Sequence, residues 1–106
     1  DDRCHEAAKI RLQHPDRIPV ILEKLPSSSI PTIGQRKFLV PADITVLHFM
    51  CLVKKKIKLR PQQSLFIFVG PMFPSTSAAM SEVYKSYKDK DGFLYVAYSG
   101  ENTSGA

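Results

Sequence analysis

Cysteine, histidine, clustered lysine and a glycine near the C-terminal end are the residues of this 106-residue chain whose types and spacing could do chemistry. His48 and Cys51 stand three apart, about one turn if the segment is helical, and could share a metal ion; a structural site needs four ligands, and no second pair completes one. No metal is expected. A cysteine nucleophile needs a base beside it and a third group to orient that base. His14 adjoins a proline turn and Cys4 lies near the N-terminus, so no catalytic residue is assigned. The run Lys54-Lys55-Lys56-Ile57-Lys58-Leu59-Arg60 could grip a phosphate backbone, and a small basic nucleic-acid-binding domain is therefore the alternative reading. Basic runs at the end of a helix are more often a solvated face favoured by the macrodipole. Phe66 and Phe68 could stack on unpaired bases, but aromatics on a strand beneath a helix usually fill a core. Lys37 and Leu39, taken alone, are an ordinary edge-strand pair. Gly105, taken alone, is tail.

Composition narrows the classes. Hydrophobic residues are 43% of the chain and charged residues 24%, which suits one folded domain rather than a disordered segment. The 15 Lys and Arg against 10 Asp and Glu leave a net charge of +5, favouring an acidic partner, an anionic membrane surface or nucleic acid. Two cysteines, with no CxxC and no dense framework, are not expected to stabilise the domain by disulfide stapling and fit a reducing compartment. No run approaches the length of a membrane span, and Asp1-Asp2-Arg3-Cys4-His5 is the wrong composition for a signal peptide.

The elements that must position these residues follow from periodicity. A helix is predicted over 4–14, with Cys4, Ala7, Ala8, Ile10 and Leu12 as its apolar stripe and Lys9, Arg11 and Gln13 facing water. From Arg17 to Glu23 both faces are apolar, with Ile18, Val20 and Leu22 on one and Pro19 and Ile21 on the other, the pattern of a strand covered on both sides. A loop over 25–35 leads to a short strand, Lys37 to Val40, stopped by Pro41. Thr45 is a plausible N-cap for a helix burying Val46, Phe49, Met50, Val53 and Ile57. Leu65 to Val69 reads as a central strand. Ser77 could cap a helix burying Met80, Val83, Tyr84 and Tyr87, and Asp91-Gly92 turns the chain into a last strand, Phe93 to Tyr98. Strands and helices that do not strictly alternate predict an α+β sheet, with the first helix on one face and the Val46 helix on the other. Residues 1–99 are expected to form the domain and 100–106 a flexible tail.

Four stretches resemble the ubiquitin-like autophagy modifiers of the GABARAP and microtubule-associated light-chain type. They are His14-Pro15-Asp16-Arg17-Ile18-Pro19-Val20-Ile21, Lys37-Phe38-Leu39-Val40-Pro41-Ala42-Asp43, Phe66-Ile67-Phe68-Val69 and Asp91-Gly92-Phe93-Leu94-Tyr95-Val96, in the family's order and spacing. The likeness spans residues 6 to 102, and residue 1 falls near the start of the family's second helix. It implies a ubiquitin-like β-grasp fold: a four-stranded mixed sheet, a central helix across it and an N-terminal helical extension. It further implies a non-enzymatic adaptor that binds aromatic-x-x-aliphatic motifs of cargo receptors along the 37–40 edge. On that resemblance Glu6, Ile10, Pro19, Ile21, Lys37, Leu39 and Phe93 line an aromatic pocket, and Phe38, Val40, Pro41, Leu52 and Val53 an aliphatic one. Arg17, Arg36, Lys37 and Lys56 would meet acidic residues flanking the peptide.

The same resemblance implies that a cysteine protease exposes Gly105, and that activating and conjugating enzymes join its carboxyl group to phosphatidylethanolamine. Glycine suits a narrow catalytic channel because it lacks a Cβ. Ser104 stands where family members usually carry an aromatic residue. No cofactor is implied, and a monomer is expected, cytoplasmic until lipid attachment carries it to the autophagosome membrane.

Overall fold

The computed structural model describes residues 2–101. Gly105, with the rest of 102–106, lies outside the described residues. The elements run α1 (Asp2–Gln13), β1 (Arg17–Lys24), β2 (Lys37–Pro41), α2 (Val46–Lys56), β3 (Phe66–Phe68), α3 (Met80–Tyr87) and β4 (Leu94–Ser99). The four strands make one mixed sheet in the order β2-β1-β4-β3; β1 and β4 are parallel at its centre, and the outer pairs are antiparallel. This is the α+β arrangement read from the sequence, with α2 and α1 on opposite faces.

Two-sided cover explains the unbroken apolar run of β1. Ile18, Val20 and Leu22 join the main core with Val46, Phe49 and Val53 of α2, Met80 and Val83 of α3, and Leu94, Val96 and Tyr98 of β4. On the other face Ile21 packs with Ala7 of α1 and with Phe93, flanked by half-buried Ile10 and Tyr95. At the start of α2 the Thr45 hydroxyl accepts the His48 N–H at 3.1 Å, the cap expected there. The 25–35 loop folds back onto the core through Ile30 and Ile33, and the Tyr98 hydroxyl accepts the Ile33 N–H at 2.7 Å.

Four sequence readings need correction. Leu12 is 84% exposed, Cys4 and Ala8 are exposed, and the inward face of α1 is instead Arg3, Glu6, Ala7, Ile10 and Arg11. At about 100° per residue Arg3, Glu6, Ala7, Ile10 and Arg11 fall on one arc of the helix, whereas Cys4, Ala8 and Leu12 lie progressively farther round toward water. The strand around Ile67 is an edge, not central: its apolarity reports cover on both faces, with Leu65 and Ile67 in the core and Phe66 and Phe68 against Phe73 of the following turn. Ser77 does not cap α3. The chain passes through a turn at 76–78, closed by the Ala78 N–H on the Ser75 carbonyl at 3.1 Å, before Ala79 bridges to Thr45 and caps the helix, and the Glu82 carboxylate accepts the Ala79 N–H at 3.0 Å. Tyr87 is 46% exposed because α3 ends there, one turn beyond the buried Tyr84.

Candidate functional site

Backbone accounting locates the reactive edge of the sheet. Leu22 N–H donates to the Arg36 carbonyl at 2.7 Å and Ala42 N–H to the Asp16 carbonyl at 2.9 Å, while Pro19 stands opposite Leu39 and Ile21 opposite Lys37. In an antiparallel pair the bonded residues alternate, so Arg36, Phe38, Val40 and Ala42 spend their backbone groups on β1. Lys37 and Leu39 turn theirs outward. Pro19, which has no N–H, fits at this register because its pair with Leu39 exchanges no bonds. The Lys37 carbonyl is held by the Gln35 side-chain amide at 2.6 Å, a bond an added strand would have to replace.

Beside this edge lies an apolar groove of about 340 Å³ between β2 and α2, lined by Phe38, Leu39, Val40, Pro41, Phe49, Leu52, Val53, Lys55 and Lys56. All five residues assigned to an aliphatic pocket line it. Leu52 of α2 is 40% exposed and Leu39 38%, large apolar side chains left half in water on a small domain. Phe49 and Lys55 line it too; Phe49 lay within reach of sequence reading, since it shares the helical interval of Leu52 and Val53.

The residues assigned to an aromatic pocket also meet in space, but most are covered by the chain itself. Pro19, Ile21 and Phe93 are buried under α1, Glu6 and Ile10 are half-buried, and Lys37 and Leu39 remain exposed. Across the top the Lys37 ammonium meets the Glu6 carboxylate at 2.8 Å, and it stands 6.0 Å from the centre of the Phe93 ring. Of the charged rim, Arg36 pairs with Glu23 at 2.7 Å, Arg17 is exposed, and Lys56 borders the apolar groove. Exposed ion pairs of this kind are worth about 0–1 kcal/mol, so an acidic peptide can exchange with them at little cost.

Hydrogen bonds that carry no signature in the sequence hold α1 over the site. The Arg3 guanidinium donates to the Tyr95 hydroxyl at 2.7 Å, and that hydroxyl donates to Asp91 Oδ2 at 2.5 Å. Burial and the Asp91 bond raise the Tyr95 phenol above its ordinary 10.0, against the neighbouring Arg3. Arg11 donates to the Pro15 and Arg17 carbonyls at 3.3 and 2.6 Å.

Other chemistry-bearing residues are not assembled into sites. Cys4 and Cys51 are exposed and neither is in a disulfide. Among the described residues no group of three His, Cys, Asp or Glu could hold a metal ion, and no helix is long and apolar enough to cross a membrane.

Comparison with known proteins agrees with the fold described above. Residues 2–105 match the family described as autophagy protein Atg8, ubiquitin-like. The chain is 53% identical over 105 residues to autophagy-related protein 8 of Mycosarcoma maydis, covering 99% of this chain and 89% of the relative. It is also 53% identical to autophagy-related protein 8d of Arabidopsis thaliana, covering 99% and 88%. Among solved structures, Trypanosoma brucei ATG8 superposes with a TM-score of 0.89 at 43% identity, covering 92% of this chain and 84% of that one. Plasmodium falciparum Atg8, solved with a Plasmodium falciparum Atg3 peptide, superposes with a TM-score of 0.87 at 35% identity, covering 95% and 89%.

Proposed function

Because the chain belongs to the Atg8 family of ubiquitin-like autophagy proteins, we propose that it is a lipid-conjugated adaptor, not a catalyst, that captures aromatic-x-x-aliphatic peptides on β2. The observation that carries this reading is the outward backbone of Lys37 and Leu39 beside an open apolar groove of about 340 Å³. An extended peptide would add a fifth strand there, with its aliphatic residue in the groove and its aromatic residue three positions before it, toward Glu6 and Ile10. The peptide-bound Plasmodium relative supports peptide capture as a use of this fold.

Burying one aromatic and one aliphatic side chain is worth roughly 1.5–3 kcal/mol each before ordering costs, which points to about micromolar affinity. Partners in this reading are cargo receptors and conjugation proteins bearing the motif. A processing protease and a conjugating cascade would act on Gly105 and join it to phosphatidylethanolamine. The adaptor would then pass from the cytoplasm to the autophagosome membrane, held by two acyl chains.

Two measurements test the proposal. Lys37→Ala with Leu39→Ala is expected to weaken a tryptophan-x-x-leucine peptide at least tenfold in calorimetry while the circular dichroism spectrum persists; unchanged affinity would remove β2 from the site. Gly105→Ala is expected to keep full peptide affinity yet gain no lipid mass when incubated with the family's processing protease, conjugating enzymes and phosphatidylethanolamine vesicles, conditions under which the unaltered chain gains it. Lipid addition to that variant would place the attachment elsewhere.

A further inference from the structure

The helix that walls the aromatic side is held with little apolar contact. A helix of 12 residues does not persist in water on propensity alone. Of its side chains only Ala7 is buried, with Ile10 half-buried. Its position therefore depends on polar anchors at its two ends: Arg11 on the Pro15 and Arg17 carbonyls, and Arg3 on Tyr95.

The Arg3 anchor leads back to the site. Its guanidinium carbon also lies 5.5 Å from the centre of the Tyr95 ring. Asp91, which receives the Tyr95 hydroxyl through Oδ2, receives the Phe93 N–H through Oδ1 at 2.9 Å. One carboxylate thus ties the first turn of α1 to the backbone of Phe93, the aromatic residue under the Glu6–Lys37 pair. Pro19, Ile21 and Phe93 are already covered, so an incoming aromatic side chain must part Glu6 from Lys37 and lift the middle of α1. The middle can lift and still act as a wall only while the ends hold.

We propose that Arg3, Tyr95 and Asp91 form a clasp that positions α1, making Tyr95 a positioning residue for recognition of the peptide's aromatic anchor. The inference rests on the peptide-capture reading above. It separates the two ends of the ligand: the clasp governs the aromatic contact and leaves the aliphatic groove, built from β2 and α2, untouched.

The test titrates the full chain with a tryptophan-x-x-leucine peptide and with the same peptide carrying alanine for tryptophan. Tyr95→Phe removes the hydroxyl and keeps the ring. It is expected to lower affinity for the tryptophan peptide about tenfold, leave the alanine peptide unchanged, and speed hydrogen exchange of the amides in α1. Arg3→Met should do the same and Arg3→Lys should restore part of the discrimination, which also covers a Tyr95→Phe protein that fails to fold. Equal loss for both peptides, or discrimination as large as in the unaltered chain, overturns the clasp. If the unaltered chain binds neither peptide, the capture reading falls and the clasp falls with it; if it discriminates and Tyr95→Phe discriminates equally, only the clasp falls.

Discussion

At Gly92 the backbone takes a φ of 92°, and a Cβ built there would stand 2.7 Å from the Ala7 Cβ. Two independent reasons thus demand glycine: left-handed backbone, and the approach of α1 to the turn before β4. Gly92→Ala is expected to cost about 1–3 kcal/mol of stability, read as a lower urea midpoint, and to speed exchange in α1 ahead of the rest of the chain. A midpoint within error of the unaltered protein would show that neither constraint matters. The sequence marked Asp91-Gly92 as a turn, yet nothing in it indicated that Ala7 would be the neighbour. Leu39 is a similar case: its alternation with Phe38 and Val40 was legible, but its exposure depends on α1 covering Pro19 and Ile21 and stopping short of it.

The helix held chiefly by polar contacts, α1, was the one whose inward face hydropathy misread. The inward face of α2 was legible because Val46, Phe49, Val53 and Ile57 repeat at helical intervals and bury against one core. That of α1 was not, because Arg3, Glu6 and Arg11 look like solvent residues and act as anchors. Two tyrosines share in this arrangement. The Tyr84 hydroxyl donates to the Gly92 carbonyl at 2.7 Å, and burial raises its phenol above 10.0 despite the Arg11 guanidinium over its ring. Tyr95 is raised likewise. A phenol whose folded value exceeds its unfolded one contributes stability that is complete below the unfolded value and is lost as pH rises through the folded one. The urea midpoint should therefore hold up to the unfolded phenol's value of about 10 and fall as pH rises above it, and the fall should shrink in Tyr95→Phe. An equal fall in both proteins would mean that Tyr95 keeps no preference for its neutral form in the fold.

For the molecule as a whole, the two sheet edges have opposite fates. The β3 edge is only three residues long and is closed off by the Val69–Met72 bridge and Phe73, which blunts it against adventitious pairing. The β2 edge keeps outward backbone groups and a groove beside them. At the far end of β4, the Ser28 hydroxyl accepts the Gly100 N–H at 3.0 Å, and the Glu101 carboxylate accepts the Ser29 hydroxyl at 2.9 Å. Glu101, the last described residue, is therefore held beside the 25–35 loop, just past the end of a central strand.

The amino-acid order by itself determined the α+β class, the element types, the double-sided burial of β1 and the residues that face α2, because each is written in a local period of two or 3.6 residues. Tertiary structure alone decided which strand would be an edge, which face of α1 would turn inward, and how far the aromatic side would be covered. Those outcomes depend on pairs such as Arg3 with Tyr95 and Glu6 with Lys37, 92 and 31 residues apart. A local hydrophobic period records whether a side chain prefers water, and holds no information about which distant group will satisfy it.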